Sequence, residues 1–135
     1  MHDSPSTAPP SSTATKVMFW VGWVLTILPV LGLIISAALK LARPAFIVKD
    51  FAKSGYPENV LLPLGIVELT CTILYLIPQT AVLGAILLTG YLGGAVATHV
   101  RASENFVAPV IFGILVWLGL VLRDPRLRAL LPLRR

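Results

Sequence analysis

The chain has 135 residues, of which 56% are hydrophobic and only 13% charged, with a mean hydropathy of +0.85. A soluble domain carries about 25% charged residues, so the composition excludes a single water-soluble globule and reads as a membrane protein. The formal net charge is +5, but the cations sit at the ends of apolar segments, where lipid headgroups and topology call for them. No nucleic-acid partner is expected from that placement.

Residues 1–15 are polar and rich in Pro and Ser, without periodicity, and predict a disordered tail. A signal peptide is not expected, because no basic region precedes Lys16 and the apolar run that follows is longer than such a peptide carries. The first apolar span runs from about residue 17 to 41, roughly 37 Å as a helix and long enough to cross a bilayer with tilt. Pro29 lies mid-span and predicts a kink. Gly32, Ser36 and Lys40 recur every four residues and so share one face.

Residues 42–57 mix Phe46, Ile47, Val48 and Phe51 with Lys49, Asp50 and Lys53, a pattern that suits a short interfacial helix between spans one and two. Gly55, free to take positive φ, and Pro57 mark its stop and the restart of the chain. The second span is predicted over about 59–77, with Glu68 some 14 Å deep in it. A very short turn at Pro78-Gln79-Thr80 makes the third span, about 81–100, its antiparallel neighbour. Gly90, Gly93, Gly94 and Thr98 give that span small residues suited to close helix packing. The fourth span covers about 106–122, and a basic tail, 126–135, closes the chain. The predicted fold is all-α: an integral membrane four-helix bundle over residues 16–125, with lipid as its surroundings.

Four spans put both termini on one side with six Lys/Arg, against five on the other, or three if Lys40 and Arg101 serve a site. The positive-inside rule then places both termini in the cytoplasm. The same topology brings Ser36, Lys40, Glu68, Thr98, His99 and Arg101 toward one side of the bundle. A carboxyl in mid-membrane costs a few kcal/mol, roughly 2.5–3.5 on insertion scales measured with Asp, and persists mainly where it is paired or lines a cavity. These six residues are therefore expected to line a polar pocket, with Lys40 or Arg101 reaching Glu68. The bland reading of Lys40 and Arg101 is that they are helix-end cations reaching for headgroups. Cys71 is the only cysteine, so the chain holds no intrachain disulfide or paired-thiol site. It is expected to pack inertly, and neither a metal nor an intrinsic cofactor is predicted.

Several of these stretches together carry a family resemblance: Ser36-x-x-x-Lys40-Leu41, Gly55-Tyr56-Pro57, Gly65-x-x-Glu68, the run Leu74 to Ala85, and above all Thr89-Gly-Tyr-Leu-Gly-Gly-Ala-x-Ala-Thr-His-x-Arg101. On them the chain resembles the DoxX-like family of small four-helix membrane proteins, over about residues 19–133. The wider family includes a membrane subunit associated with thiosulfate:quinone oxidoreduction and members linked to oxidative-stress complexes. The resemblance thus implies a quinone-side accessory subunit of a redox complex in a bacterial inner membrane, with quinone as the cofactor class and a redox protein as partner. Two alternatives stand beside it, a small proton-coupled transporter and a purely structural membrane protein. Self-association is a further expectation from the small-residue stripe. A stand-alone enzyme is not expected, since no nucleophile–base pair, metal set or phosphate loop is recognisable.

Overall fold

A computed structural model describes residues 12–131. Every regular element among them is helical: α1 (Ser12–Ala42), α2 (Ala45–Lys53), a 3-10 turn (Glu58–Val60), α3 (Leu61–Leu76), α4 (Ala81–Arg101), α5 (Val107–Arg123) and α6 (Pro125–Leu130). α1 packs on α3 and α5, α3 on α4, and α4 on α5, so the main helix contacts close into a ring. Three helical segments among the described residues are long and apolar enough to cross a membrane: Thr13–Ala42, Glu58–Leu76 and Ala81–Arg101. α5 is apolar but shorter, at 17 residues. Leu28, Leu31, Ile35, Ile66, Ile86 and Ile114 are all exposed along these helices, which fits lipid rather than water outside.

What faces inward is set by spacing. In α1 the buried positions are Gly22, Thr26, Pro29, Val30, Leu33, Ala37 and Lys40; in α3 they are Leu61, Gly65, Glu68, Cys71, Thr72 and Tyr75. Steps of three and four keep each set on one face of its helix. α1 continues as a helix through Pro29. It ends where Arg43 turns to φ 52°, its N–H reaching the Leu39 carbonyl at 3.0 Å, ahead of Pro44. α2 ends at Gly55, φ +84°, with the Tyr56 N–H on the Phe51 carbonyl at 2.9 Å, the turn for which a glycine was expected.

Close backbone approach depends on glycines other than those singled out from the sequence. A Cβ at Gly84 would collide with the Tyr75 nitrogen, and one at Gly22 would sit 2.7 Å from the Arg123 nitrogen. Gly119 meets Thr26 in the same way, at 2.7 Å from its hydroxyl. These contacts press α4 onto the end of α3 and α1 onto α5. Gly90, Gly93 and Gly94, expected to serve as the packing stripe, have nothing among the described residues within 4 Å of a built Cβ. The physical reason is their face: the buried set of α4 is Ala81, Gly84, Ala85, Leu88 and Leu92, and the three glycines lie off it.

The described chain ends are helical. Residues 12–15 belong to α1 rather than to a disordered tail, because lengthening an existing helix avoids the cost of a new nucleus; residues 1–11 lie outside the described residues. The basic tail begins as α6, started by Asp124, whose side chain accepts the Arg126 N–H at 2.9 Å, with Pro125 at the first helical position. Residues 132–135 again lie outside the described part.

The glycine assignment has a direct check in thermal unfolding of the detergent-solubilised protein. Gly84→Leu is expected to destabilise by about 3 kcal/mol or more, since its side chain meets backbone that cannot give way. Gly93→Ala is expected to be neutral or to stabilise by up to about 1 kcal/mol through helix propensity. Equal losses in the two variants would refute the assignment.

Candidate functional site

The inward stripes of α1 and α3 carry the ionisable pair. Glu68 is 2% exposed, and Lys40 Nζ donates to its Oε2 at 2.8 Å. Lys40 lies one turn beyond Ser36 on α1 and also donates to the Ser36 hydroxyl, while Ser36 donates to the same Glu68 oxygen at 3.3 Å. The small side of Gly65, one turn before Glu68, lets the Lys40 stem lie against α3, with the lysine Cβ 3.1 Å from where a glycine Cβ would stand. Two aromatic faces flank the ammonium, Phe51 from α2 and Tyr91 from α4, each with its ring centre 5.9 Å from Nζ. Such faces favour a cation through the ring quadrupole.

This group opens on a cavity of about 620 Å³ whose walls come from α1, α2, α3, α4 and α5. Most of the lining is apolar, with Leu33, Leu39, Ile47, Leu64 and Phe112 among it; Ser36, Lys40, Glu68, Tyr91, Thr98 and His99 supply polar groups. Thr98 donates back to the Gly94 carbonyl at 2.9 Å, so the Tyr56 hydroxyl, 2.9 Å from Thr98 Oγ1, is the donor of that pair. The bond ties the turn after α2 to the last part of α4. His99 Nδ1 is buried with no hydrogen-bond partner among the described residues, a condition that costs about 1–3 kcal/mol when nothing fills it.

Of the six residues read from the sequence, five line this cavity: Ser36, Lys40, Glu68, Thr98 and His99. Arg101 does not. It is exposed and outside the lining, because the inward stripe of α4 continues from Leu92 through Ala95 to His99 and leaves Arg101 two residues past it. The alternative Arg101–Glu68 pairing is accordingly not formed. Tyr56, Phe51 and Tyr91 were not singled out, although Tyr56 and Tyr91 stand inside the two motifs Gly-Tyr-Pro and Thr-Gly-Tyr and were the readable signal. Among the described residues, no three His, Cys, Asp or Glu side chains gather as a metal site. Cys71 is buried, one turn from Glu68 on α3.

A second polar link joins α4 to α5, where the Trp117 indole donates to the Thr89 hydroxyl at 2.7 Å and Thr89 donates to the Ala85 carbonyl at 2.7 Å. Thr89 thus begins the motif that Arg101 ends, and it works by holding α5 against α4. The motif has a packing half and a cavity half.

Comparison with known proteins yields no match among curated proteins and none among solved structures. A family match is found: the sequence profile of the DoxX-like family aligns with residues 24–119, a stretch that includes the paired Lys40 and Glu68 and the whole Thr89–Arg101 motif. With apolar helices of spanning length, the protein is a membrane protein and belongs to the DoxX-like family.

Proposed function

We propose that the chain is a four-span inner-membrane protein acting as a quinone-side accessory subunit of a redox complex. The observation that carries the reading is a buried Lys40–Glu68 pair opening on a largely apolar cavity of about 620 Å³. Small-molecule sites are typically about 300–1,000 Å³, mostly apolar, with a few fixed polar groups. α5 serves as the fourth span in this reading; its 17 residues rise about 26 Å, at the lower limit for a crossing. α2 lies at the interface, with Lys49 and Lys53 toward headgroups and Ile47 and Phe51 over the cavity. The Lys/Arg distribution favours termini in the cytoplasm, which a C-terminal reporter fusion active only in that compartment would test.

The residues present fit a quinone head. Lys40 has three N–H donors, two of them engaged by Ser36 and Glu68, which leaves one for a carbonyl. Both bonds to Glu68 fall on Oε2, which leaves Oε1 as the acceptor for a hydroxyl. His99 Nδ1 is a third polar atom in need of a partner. A quinone would supply two-electron, two-proton chemistry, with the electrons coming from a partner protein. The chain's own part is to seat the head, exclude water with Phe51 and Phe112, and keep a donor and an acceptor side by side. The pair can therefore hold the ligand in either oxidation state.

Native mass spectrometry of the tagged protein in nanodiscs containing ubiquinone or menaquinone tests the reading. Wild type is expected to retain a quinone-sized mass, together with a second protein when extracted from its own membranes. Glu68→Gln is expected to weaken quinone retention about tenfold, the worth of one charge-assisted hydrogen bond. A folded wild type that retains neither quinone nor partner refutes it.

The structural alternative, in which the pair is only a strut, is separated by stability. Lys40→Met and Glu68→Leu alone are each expected to cost about 3–5 kcal/mol, and the double variant to recover most of that loss. If the recovered double variant still binds quinone as wild type does, the pair is a strut and its assignment as the quinone's hydrogen-bonding partner fails.

A further inference from the structure

At the opposite end of the helices lies a second buried cation, with no ion-pair partner among the described residues. Arg123 closes α5 on its inward stripe and is only 9% exposed. Its Nη2 donates to the Tyr75 carbonyl at 2.9 Å, near the end of α3. The guanidinium carbon lies 4.6 Å from the Trp23 ring centre and 5.0 Å from that of Tyr75. These contacts orient the group and use its cationic character, but none brings a negative charge. Nε is buried with no hydrogen-bond partner, and among the described residues the one ion pair is Lys40–Glu68.

Arg123 lines a cavity of about 450 Å³ together with Phe19, Trp23, Gln79, Asp124 and Arg126. Two arginines face one carboxylate there, and Asp124 already has Oδ1 engaged by the Arg126 N–H as the start of α6. Phe19 stacks edge-on against Trp20 and Trp23, with ring centres 5.9 and 6.4 Å apart. Aromatic clusters of this kind mark the headgroup level of a bilayer. One turn along α1 from Trp23, Ile27 is exposed, so apolar surface lies near the cavity on that side.

We propose that this cavity binds the phosphate of an acidic phospholipid, with Arg123 and Arg126 holding the oxyanion and Trp23 and Phe19 lining the start of the acyl chains. Guanidinium groups suit the site because their planar N–H forks match phosphate oxygens. A bound phosphate supplies the charge that the Arg123 contacts lack. Free phosphate shares that chemistry but has no use for the aromatic wall of Phe19 and Trp23. The site stands apart from the Lys40–Glu68 cavity and does not depend on what that cavity holds.

The test uses the full chain, delipidated in detergent and titrated with phosphatidylglycerol, phosphatidylcholine or inorganic phosphate. Native mass spectrometry counts retained lipid, and melting temperature reports protection. Wild type is expected to retain phosphatidylglycerol in preference to phosphatidylcholine, and Arg123→Gln to weaken that retention tenfold or more. Where Arg123→Gln does not fold, for want of its bond to Tyr75, the exposed Arg126→Ala carries the test. It is expected to weaken retention about fivefold, with Lys53→Ala at the far end unchanged. Equal retention of the two lipids by wild type, or unchanged retention in Arg126→Ala, overturns the proposal. Protection by millimolar inorganic phosphate equal to that by phosphatidylglycerol overturns the lipid assignment and leaves free phosphate as the occupant.

Discussion

A charge held inside an apolar surround must be neutralised where it stands, because neither lipid nor packed hydrocarbon will solvate it. That constraint organises this molecule. Lys40 and Glu68 sit on the inward stripes of two different helices, and their 2.8 Å contact fixes the depth at which α1 and α3 meet. A one-residue slip of either helix would rotate one partner by about 100° out of the interface. Apolar burial cannot set this register by itself when the outside is as apolar as the inside.

Close packing around the pair comes from missing side chains. Gly65 makes room for the Lys40 stem, Gly84 lets α4 touch the backbone of α3, and Gly22 with Gly119 brings α1 onto α5. Polar side chains then join the helices at fixed points. Tyr75 donates to the Val116 carbonyl at 2.7 Å, Trp117 donates to Thr89, and Thr80 donates to the Leu74 carbonyl at 2.8 Å as α3 turns into α4. Each bond leaves one fewer polar group uncompensated in a medium without water. Where the glycines have no neighbour, at Gly90 and Gly94, the absent side chains leave space, and that space is part of the cavity. One residue type therefore serves contact at one position and vacancy at another.

The two ends of the molecule handle cations differently. Near the cavity, Lys40 meets a carboxylate, a hydroxyl and two rings. At the other end, Arg123 meets a helix-end carbonyl and two rings but, among the described residues, no ion-pair partner. The first arrangement is complete in charge and leaves hydrogen-bonding capacity over. The second leaves charge over. A neutral hydrogen-bonding ligand suits the first and an anion suits the second, and the difference follows from which residue type stands across the helix interface.

Composition and spacing in the sequence were enough for the membrane class and for the helices to within one or two residues at most ends. The steps of three and four that put Lys40 and Glu68 inward are also present in the sequence, and continuing them along α4 selects His99 over Arg101. What they cannot determine is which stripe meets which, since a stripe states only that a face is buried. The role of each glycine, contact or vacancy, depends on a neighbour up to 101 positions away, as for Gly22 and Arg123. Likewise, Arg123 reads as an ordinary helix-end cation until the fold shows it buried against Trp23 and Tyr75. Local periodicity sets orientation within a helix; only the packing of one helix on another decides which charges find a partner and which do not.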